Sequence, residues 1–411
     1  MEQAQAMEQK QFNRWTIMVG AIIIQLCLGA IYAWSVFRKP LQGEPLNLTA
    51  TQATLPFALV LIFFALATIL GGRWQDKKGP RVVASAGGIL LGLGLILSGL
   101  LKSYAGIVVS YGIISGIGIG LAYVCPISAG VKWFPDKRGL ITGISVAGFG
   151  AGALIVAPVA SALIDKVNVF NTLLILGIAF LILVMLGALI LRNPPQGYRP
   201  AGWTPPATAA AETCDYAPGQ MLGTSQFWLT WLIYFFGCAA GLMIIGQTSP
   251  IGQDLAKVSK ETAALAVSVL AIFNAIGRIA WGKCSDVMGR MRTLFLIFLI
   301  CGVAVLLYNV ISSFSGYYWI GISLVGLCFG GFLAIFPCII ADFYGTKCMG
   351  VNYGFLFTAY GVGGLLGNIF APQVLQKTKS YSLAFVVAGI LCLAGAAITF
   401  MIRQPKKIQG Q

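Results

Sequence analysis

The stretch GRWQDKKGPR, residues 72–81, and its echo GKCSDVMGRMR, residues 282–292, decide how this chain is read. Each is a knot of charge set between long uncharged runs, and Asp286 follows Asp76 by 210 residues in a chain of 411. Two more echoes share nearly the same offset. WFPDKRG at 133–139 pairs with DFYGTKCMG at 342–350, and GFGAG at 148–152 pairs with AYGVG at 359–363, which sets Phe149 opposite Tyr360. A self-similar pattern at one fixed separation is the mark of an internal repeat. The expectation is therefore two similar halves, residues 1–192 and 225–411, joined by a Pro-rich polar linker at 193–224.

What fills the halves follows from composition. The chain is 58% hydrophobic and 9% charged, with a mean hydropathy of +0.86, which is the balance of a protein dissolved in lipid. Lipid offers no partners to backbone amides, so a spanning segment must be a helix of roughly 20 apolar residues. That ruler predicts twelve spans, at 15–37, 53–72, 82–101, 105–131, 140–164, 172–191, 227–247, 262–281, 293–312, 317–340, 349–375 and 383–402. The chain is read as all-α and transmembrane, six helices to each half. The polar start MEQAQAMEQKQ and the length of the first span predict a retained helix rather than a cleaved signal peptide.

Charge then sets orientation. With both termini in the cytoplasm, most of the 27 Lys and Arg residues fall in inner segments, as cytoplasmic loops require. The net charge of +15 thus reflects topology and contact with anionic lipid headgroups, with no nucleic-acid partner implied. Of the ten cysteines, seven lie within apolar spans, while Cys214, Cys284 and Cys348 fall at inner loops or edges, so free thiols are expected. There is no His in the chain, which removes His-based metal sites and proton relays, and no metal or cofactor is expected.

One charge breaks the rule of uncharged spans. Arg278, in AIFNAIGRIAWGKCSD at 271–286, lies three residues before Trp281. At ~1.5 Å of rise per residue it is about one turn from the inner boundary, so its side chain either snorkels to the headgroups or serves a central site. Asn274, one turn earlier on the same face, favours the site, because a face carrying both an amide and a guanidinium is a poor partner for lipid. A buried cation without a fixed counter-charge calls for an anion, and guanidinium pairs with a planar carboxylate through two parallel hydrogen bonds.

The loop at 72–81 resembles the signature loop of the major facilitator superfamily. More narrowly, NRW at 13–15, IYAW at 31–34, WFPDKRG at 133–139, MLGTSQFW at 221–228 and NYGF at 352–355 resemble its oxalate:formate antiporter branch and the bacterial monocarboxylate relatives. The resemblance implies a twelve-helix fold of two pseudo-symmetric six-helix bundles around a site reached alternately from either side. In the oxalate carriers the eleventh span supplies a second basic residue for a dianion, where this chain has Tyr360. Animal monocarboxylate transporters place an Asp four residues before the Arg, where this chain has Asn274, and use a Lys on the first span, which lacks one here.

On that fold, Tyr32, Tyr123, Phe149, Phe329, Phe332, Phe357 and Tyr360 are candidates to line the site with Arg278 and Asn274; helix packing or an interfacial aromatic belt is the alternative for each. Gly112, Gly116 and Gly120, and the run GFGAGA at 148–153, are read as close helix packing, since the latter follows no strand and is not a nucleotide loop. Asp76 with Lys77, Lys78 and Arg81, and Asp286 with Arg290 and Arg292, are expected to pair and to hold an inner gate, with Asp136 and Asp342 in the second pair of loops. Positive-inside anchoring accounts for the cations equally well, but not for the acids.

The functional expectation is a monomeric secondary transporter of small monocarboxylates such as L-lactate or pyruvate, coupled to protons, crossing the cell (inner) membrane many times. Two alternatives stay open: oxalate/formate-type anion exchange, and a carboxylate-binding membrane sensor. An enzyme is not expected, because the spans hold no supported nucleophile and no metal-ligand cluster.

Overall fold

The computed structural model describes residues 13–195, 197–200, 215–311 and 315–405. The polar start and Cys214, with most of the linker, lie outside them. Each of the twelve expected spans falls on a helix. They are α1 (15–42), α2 (Ala50–Lys78), α3 (Pro80–Leu101), α4 (Tyr104–Trp133), α5 (Arg138–Val167), α6 (Val169–Ile190), α7 (Ser225–Asp254), α8 (Lys260–Met288), α9 (Arg290–Ile311), α10 (Ser315–Tyr344), α11 (Met349–Thr378) and α12 (Ser382–Thr399). Eleven of them are long and apolar enough to cross a membrane among the described residues; α11 is the other, with several of its side chains not described.

Several helices outrun the apolar spans, for a local reason. α2 begins at a capping box in which Thr49 accepts from the Gln52 amide and Gln52 returns to Thr49, and α8 begins where Ser259 accepts from the Thr262 amide. Polar caps satisfy the open N–H groups of a first turn beyond the apolar stretch, so the helix continues past the residues that lipid selects. Two helices are irregular. A 3₁₀ turn at Ala30–Ala33 interrupts α1, and a π segment at Val108–Ser115 lies within α4. Such breaks in regular helices mark hinges and functional sites.

The repeat is visible in backbone geometry. α2 turns into α3 at Gly79 (φ 85°, ψ 163°), and α8 turns into α9 at Gly289 (φ 90°, ψ 155°), again 210 residues apart. Both φ values are in the left-handed region that glycine occupies at little cost. Between the halves, α5 packs on α8 and α2 packs on α11, with further contacts from α10 to α5. Glycines set these approaches: a Cβ on Gly72 would strike the backbone of Gly350, one on Gly139 that of Gly282, and one on Gly143 the carbonyl of Arg278. These crossings are close enough that only small residues fit. Nine cysteines are free thiols, and among the described residues no cluster of His, Cys, Asp or Glu suits a metal ion.

Candidate substrate site and gate

Arg278 does not reach for the membrane surface. It is 2% exposed, while Leu265, Ile272, Ile276 and Ile279 on the other faces of α8 are exposed as lipid-facing residues are. Its Nε donates to Asn274 Oδ1 at 2.9 Å, the contact expected of residues one turn apart. Its Nη1 donates to the carbonyl oxygen of Val146 on α5, across the boundary between the halves. Gly150, one turn further along α5, gives the guanidinium its room, since a Cβ there would lie 3.3 Å from Cζ. Among the described residues Arg278 has no carboxylate partner. Its remaining N–H groups can therefore take an anion, and a buried cation in that situation gains most from one.

A continuous aromatic cluster stands beside this cation. Phe149 meets Tyr32 edge-on at 5.4 Å between ring centroids and Tyr123 at 5.3 Å; Tyr123 meets Phe357 at 5.1 Å, and Phe357 stacks on Tyr360 at 4.7 Å. The hydroxyls of Tyr32 and Tyr360 lie 2.5 Å apart, so one donates to the other across the halves. Five of the seven aromatic candidates are thus brought together, on α1, α4, α5 and α11.

Phe329 and Phe332 are not in that cluster. Phe332 packs on Phe298 at 4.5 Å and over Gly237, and Phe329 packs over Gly241, so both fill the space between α10 and α7 inside the second half. The physical reason is the glycine face of α7, which leaves room for a ring. Sequence reading overlooked Phe64, which contacts Tyr123, Phe149 and Phe357. It also overlooked Tyr353 and Tyr234, whose buried hydroxyls neighbour each other, that of Tyr353 also lying beside Tyr123. Tyr353 lies in the NYGF motif; Phe64 carries no signal in a run of apolar residues.

Toward the end of the molecule that carries residues 14 and 404, the acids of the repeated loops do the same work twice. Asp76 accepts from the backbone amides of Gly350 (3.1 Å) and Val351 (2.9 Å) at the start of α11. Asp286 accepts from those of Gly139 (2.8 Å) and Leu140 (2.9 Å) at the start of α5. Each carboxylate satisfies open N–H groups of a helix in the opposite half and faces the positive end of its dipole. Arg290 pairs with Asp286 at 2.6 Å and with Asp342 at 2.9 Å, and Arg138 pairs with Asp342 at 2.5 Å across the halves.

Other expected pairs take a different form. The cation beside Asp76 is Lys132 at 3.8 Å, not Lys77, Lys78 or Arg81, because Asp76 turns inward while those three point out. Arg81 is exposed and makes no ion pair among the described residues. Asp136 pairs with Arg14 at 2.6 Å, within the first half, so it braces the start of α1 and does not bridge the halves. Arg292 is likewise exposed, and Arg290 alone does the pairing in its turn.

The Major Facilitator Superfamily profile matches residues 11–368 and 257–411. The chain is 28% identical over 395 residues to the oxalate:formate antiporter of Oxalobacter formigenes, covering 95% of this chain and 92% of that one. It is 26% identical to apicoplast pyruvate carrier 1 of Toxoplasma gondii, covering 94% and 88%. Its fold is similar to the crystal structure of the transporter FucP in the outward conformation, with a TM-score of 0.74 over 94% of this chain and 99% of that one, at 14% identity.

Proposed function

Because the chain belongs to the Major Facilitator Superfamily, a family of transporters and not enzymes, we propose that it carries small monocarboxylates such as L-lactate or pyruvate by alternating access. Arg278 carries this reading: one buried guanidinium, held by an amide and a carbonyl, with N–H groups left for a single carboxylate. Asn274 or a tyrosine hydroxyl takes the oxygen on the second carbon, and Phe149, Phe357 and Tyr360 enclose the small apolar remainder. No other Lys or Arg is near enough to contribute to the aromatic cluster among the described contacts, so a dianion would stay half compensated.

Alternation on this reading works through the gate. Asp76 and Asp286 hold the first turns of α11 and α5, and the Arg138 to Asp342 pair joins the halves. Opening that end breaks all three together. It also parts Arg278 from the Val146 carbonyl, so a bound carboxylate replaces a hydrogen bond that the carrier must otherwise lose. We place this end and both termini in the cytoplasm, the protein in the inner membrane as a monomer, and residues 1–192 and 225–411 as the moving halves.

Proton symport is the preferred coupling, because a monoanion moving with a proton avoids work of ~2.3 kcal/mol per charge per 100 mV. Anion exchange is the second reading, favoured by similarity to the oxalate:formate antiporter. Uptake of labelled lactate, pyruvate, formate and oxalate into proteoliposomes separates them. Symport predicts uptake driven by external acid without internal anion, whereas exchange requires an opposing anion. Arg278→Ala should lower uptake roughly 100-fold, the scale of truncating a buried charged partner, with Arg278→Lys retaining part. Normal uptake by Arg278→Ala removes the site from this position.

A further inference from the structure

The two helix starts gripped by the gate acids are also held from behind, each by its own half. In the first half Arg14, which leads into α1, sets two guanidinium nitrogens on Asp136, at 2.6 and 2.9 Å, and lies 4.3 Å over the ring of Phe134. Gly139 and Leu140, whose amides Asp286 takes from the other half, follow Asp136 by three and four residues. The turn between is tight: the Lys137 amide donates to the Phe134 carbonyl, and the Ile141 amide donates to that of Lys137.

In the second half the same place is filled by different chemistry. Asp215, in the segment that leads into α7, accepts from the Lys347 amide at 3.0 Å, and a Cβ on Gly345 would strike its carboxylate. The amide of Tyr216 donates to the Tyr344 carbonyl at 3.0 Å, and Asn352 donates to the Tyr216 carbonyl at 3.1 Å. Gly350 and Val351, whose amides Asp76 takes, follow Lys347 by three and four residues, and Lys347 itself follows Asp136 by 211. An ion pair in one half thus stands where a carboxylate on a backbone amide stands in the other. The match lies in position, not in residue type.

A carboxylate holds two backbone amides at once only where both N–H groups converge on it, and such bonds weaken steeply as alignment is lost. The short turns before α5 and α11 aim those amides. We infer that Arg14 and Asp215 are positioning residues for the gate: each fixes, from its own half, the turn that aims two amides at the acid of the other half. The inference rests on Asp76 and Asp286 closing that gate. Loosening either brace weakens the closed form without touching Arg278.

The test is a double-mutant cycle on the full chain in nanodiscs, read as the rate of maleimide labelling at Cys348 resolved by peptide mass spectrometry. The charged neighbours of Cys348 are Asp76, Asp215, Lys347 and Lys132, so neither Arg14 nor Asp286 acts on it directly. Asp286→Ala should quicken labelling about tenfold or more, the scale of hydrogen bonds to a charged group. Arg14→Gln should quicken it about fivefold, the scale of a half-buried ion pair, and Arg14→Lys by less. On the Asp286→Ala background Arg14→Gln should add nothing, because the amides it aims have lost their acceptor; on the Asp76→Ala background its fivefold effect should persist. Asp136→Asn breaks the same pair and should repeat this pattern, which keeps the test open should Arg14→Gln fold poorly. Unchanged labelling in Asp286→Ala removes the gate and the braces with it. Quickening by Asp286→Ala but not by Arg14→Gln, or equal factors for Arg14→Gln on the two backgrounds, overturns the braces alone.

Discussion

The hydroxyls of Tyr32 and Tyr360 lie 2.5 Å apart and join α1 of one half to α11 of the other beside the buried Arg278. Neither residue of the pair carries a charge. Two neutral groups that satisfy each other keep the site at a single positive charge. Tyr360→Lys breaks the pair and adds a charge. Oxalate uptake should rise relative to lactate by about tenfold or more, and thermal stability should fall by ~2.5–3.5 kcal/mol, the scale for a cation placed centrally in a membrane helix. An unchanged oxalate-to-lactate ratio would count against the charge argument.

The buried tyrosine hydroxyls next to Tyr123 give a second expectation. Tyr353 is fully buried, and its hydroxyl neighbours those of Tyr123 and Tyr234. Tyr353→Phe removes that hydroxyl and should cost the fold no more than ~1 kcal/mol, the scale of one hydrogen bond. If the hydroxyl meets the substrate's second oxygen, lactate uptake falls about tenfold while propionate uptake stays level, a loss of ~1.4 kcal/mol for one hydrogen bond. Parallel loss for both acids points to packing instead.

Asp76 holds α11 by its first amides, with no direct role at Arg278. Asp76→Asn weakens that contact by ~1 kcal/mol, the scale of a carboxylate at a helix N-terminus, and shifts the closed form of the gate end about fivefold toward opening. Cys348, the residue before α11, reports on it. Burial, followed by the neighbouring Asp76 and Asp215 carboxylates, pushes its thiol above the usual value. Because the thiolate is the reactive form, maleimide labelling of Cys348 should be slow at neutral pH and should climb as pH rises. Asp76→Asn removes one of the groups that raise it and loosens the gate, so labelling at fixed pH should quicken.

Gly143 tests closure by sterics alone. A Cβ there falls on the Arg278 carbonyl, so Gly143→Ala cannot reproduce the observed approach of α5 to α8. Transport should drop at least tenfold, and the gate end should be more accessible to cysteine reagents, whereas Gly219→Ala, with nothing near its Cβ, should behave as wild type. A fully active Gly143→Ala would show that the close approach is dispensable.

How much of this was legible in the chain differs from one residue to the next. Asp76 and Asp286 stood out in the sequence because an acid interrupts a basic loop twice at the same offset, yet their partners did not: the sequence offers Lys77, Lys78 and Arg81 next door, and the fold supplies Lys132 and the amides of another helix. Phe329 and Phe332 looked like site residues on helices expected to face the centre, and glycines on α7 draw them into the second half instead. Phe64 was hidden because one more Phe in an apolar span carries no pattern of its own.

The sequence by itself determined that this is a duplicated, twelve-helix chain with a lone guanidinium in its apolar spans, because hydrophobic length and charge placement are local properties that lipid selects directly. Only the tertiary structure decided where that guanidinium goes. Helix periodicity puts Asn274 and Arg278 on one face, but the glycines of α5 in the other half make the room that lets this face look inward, and that depends on how two helices some 130 residues apart in the chain come to touch.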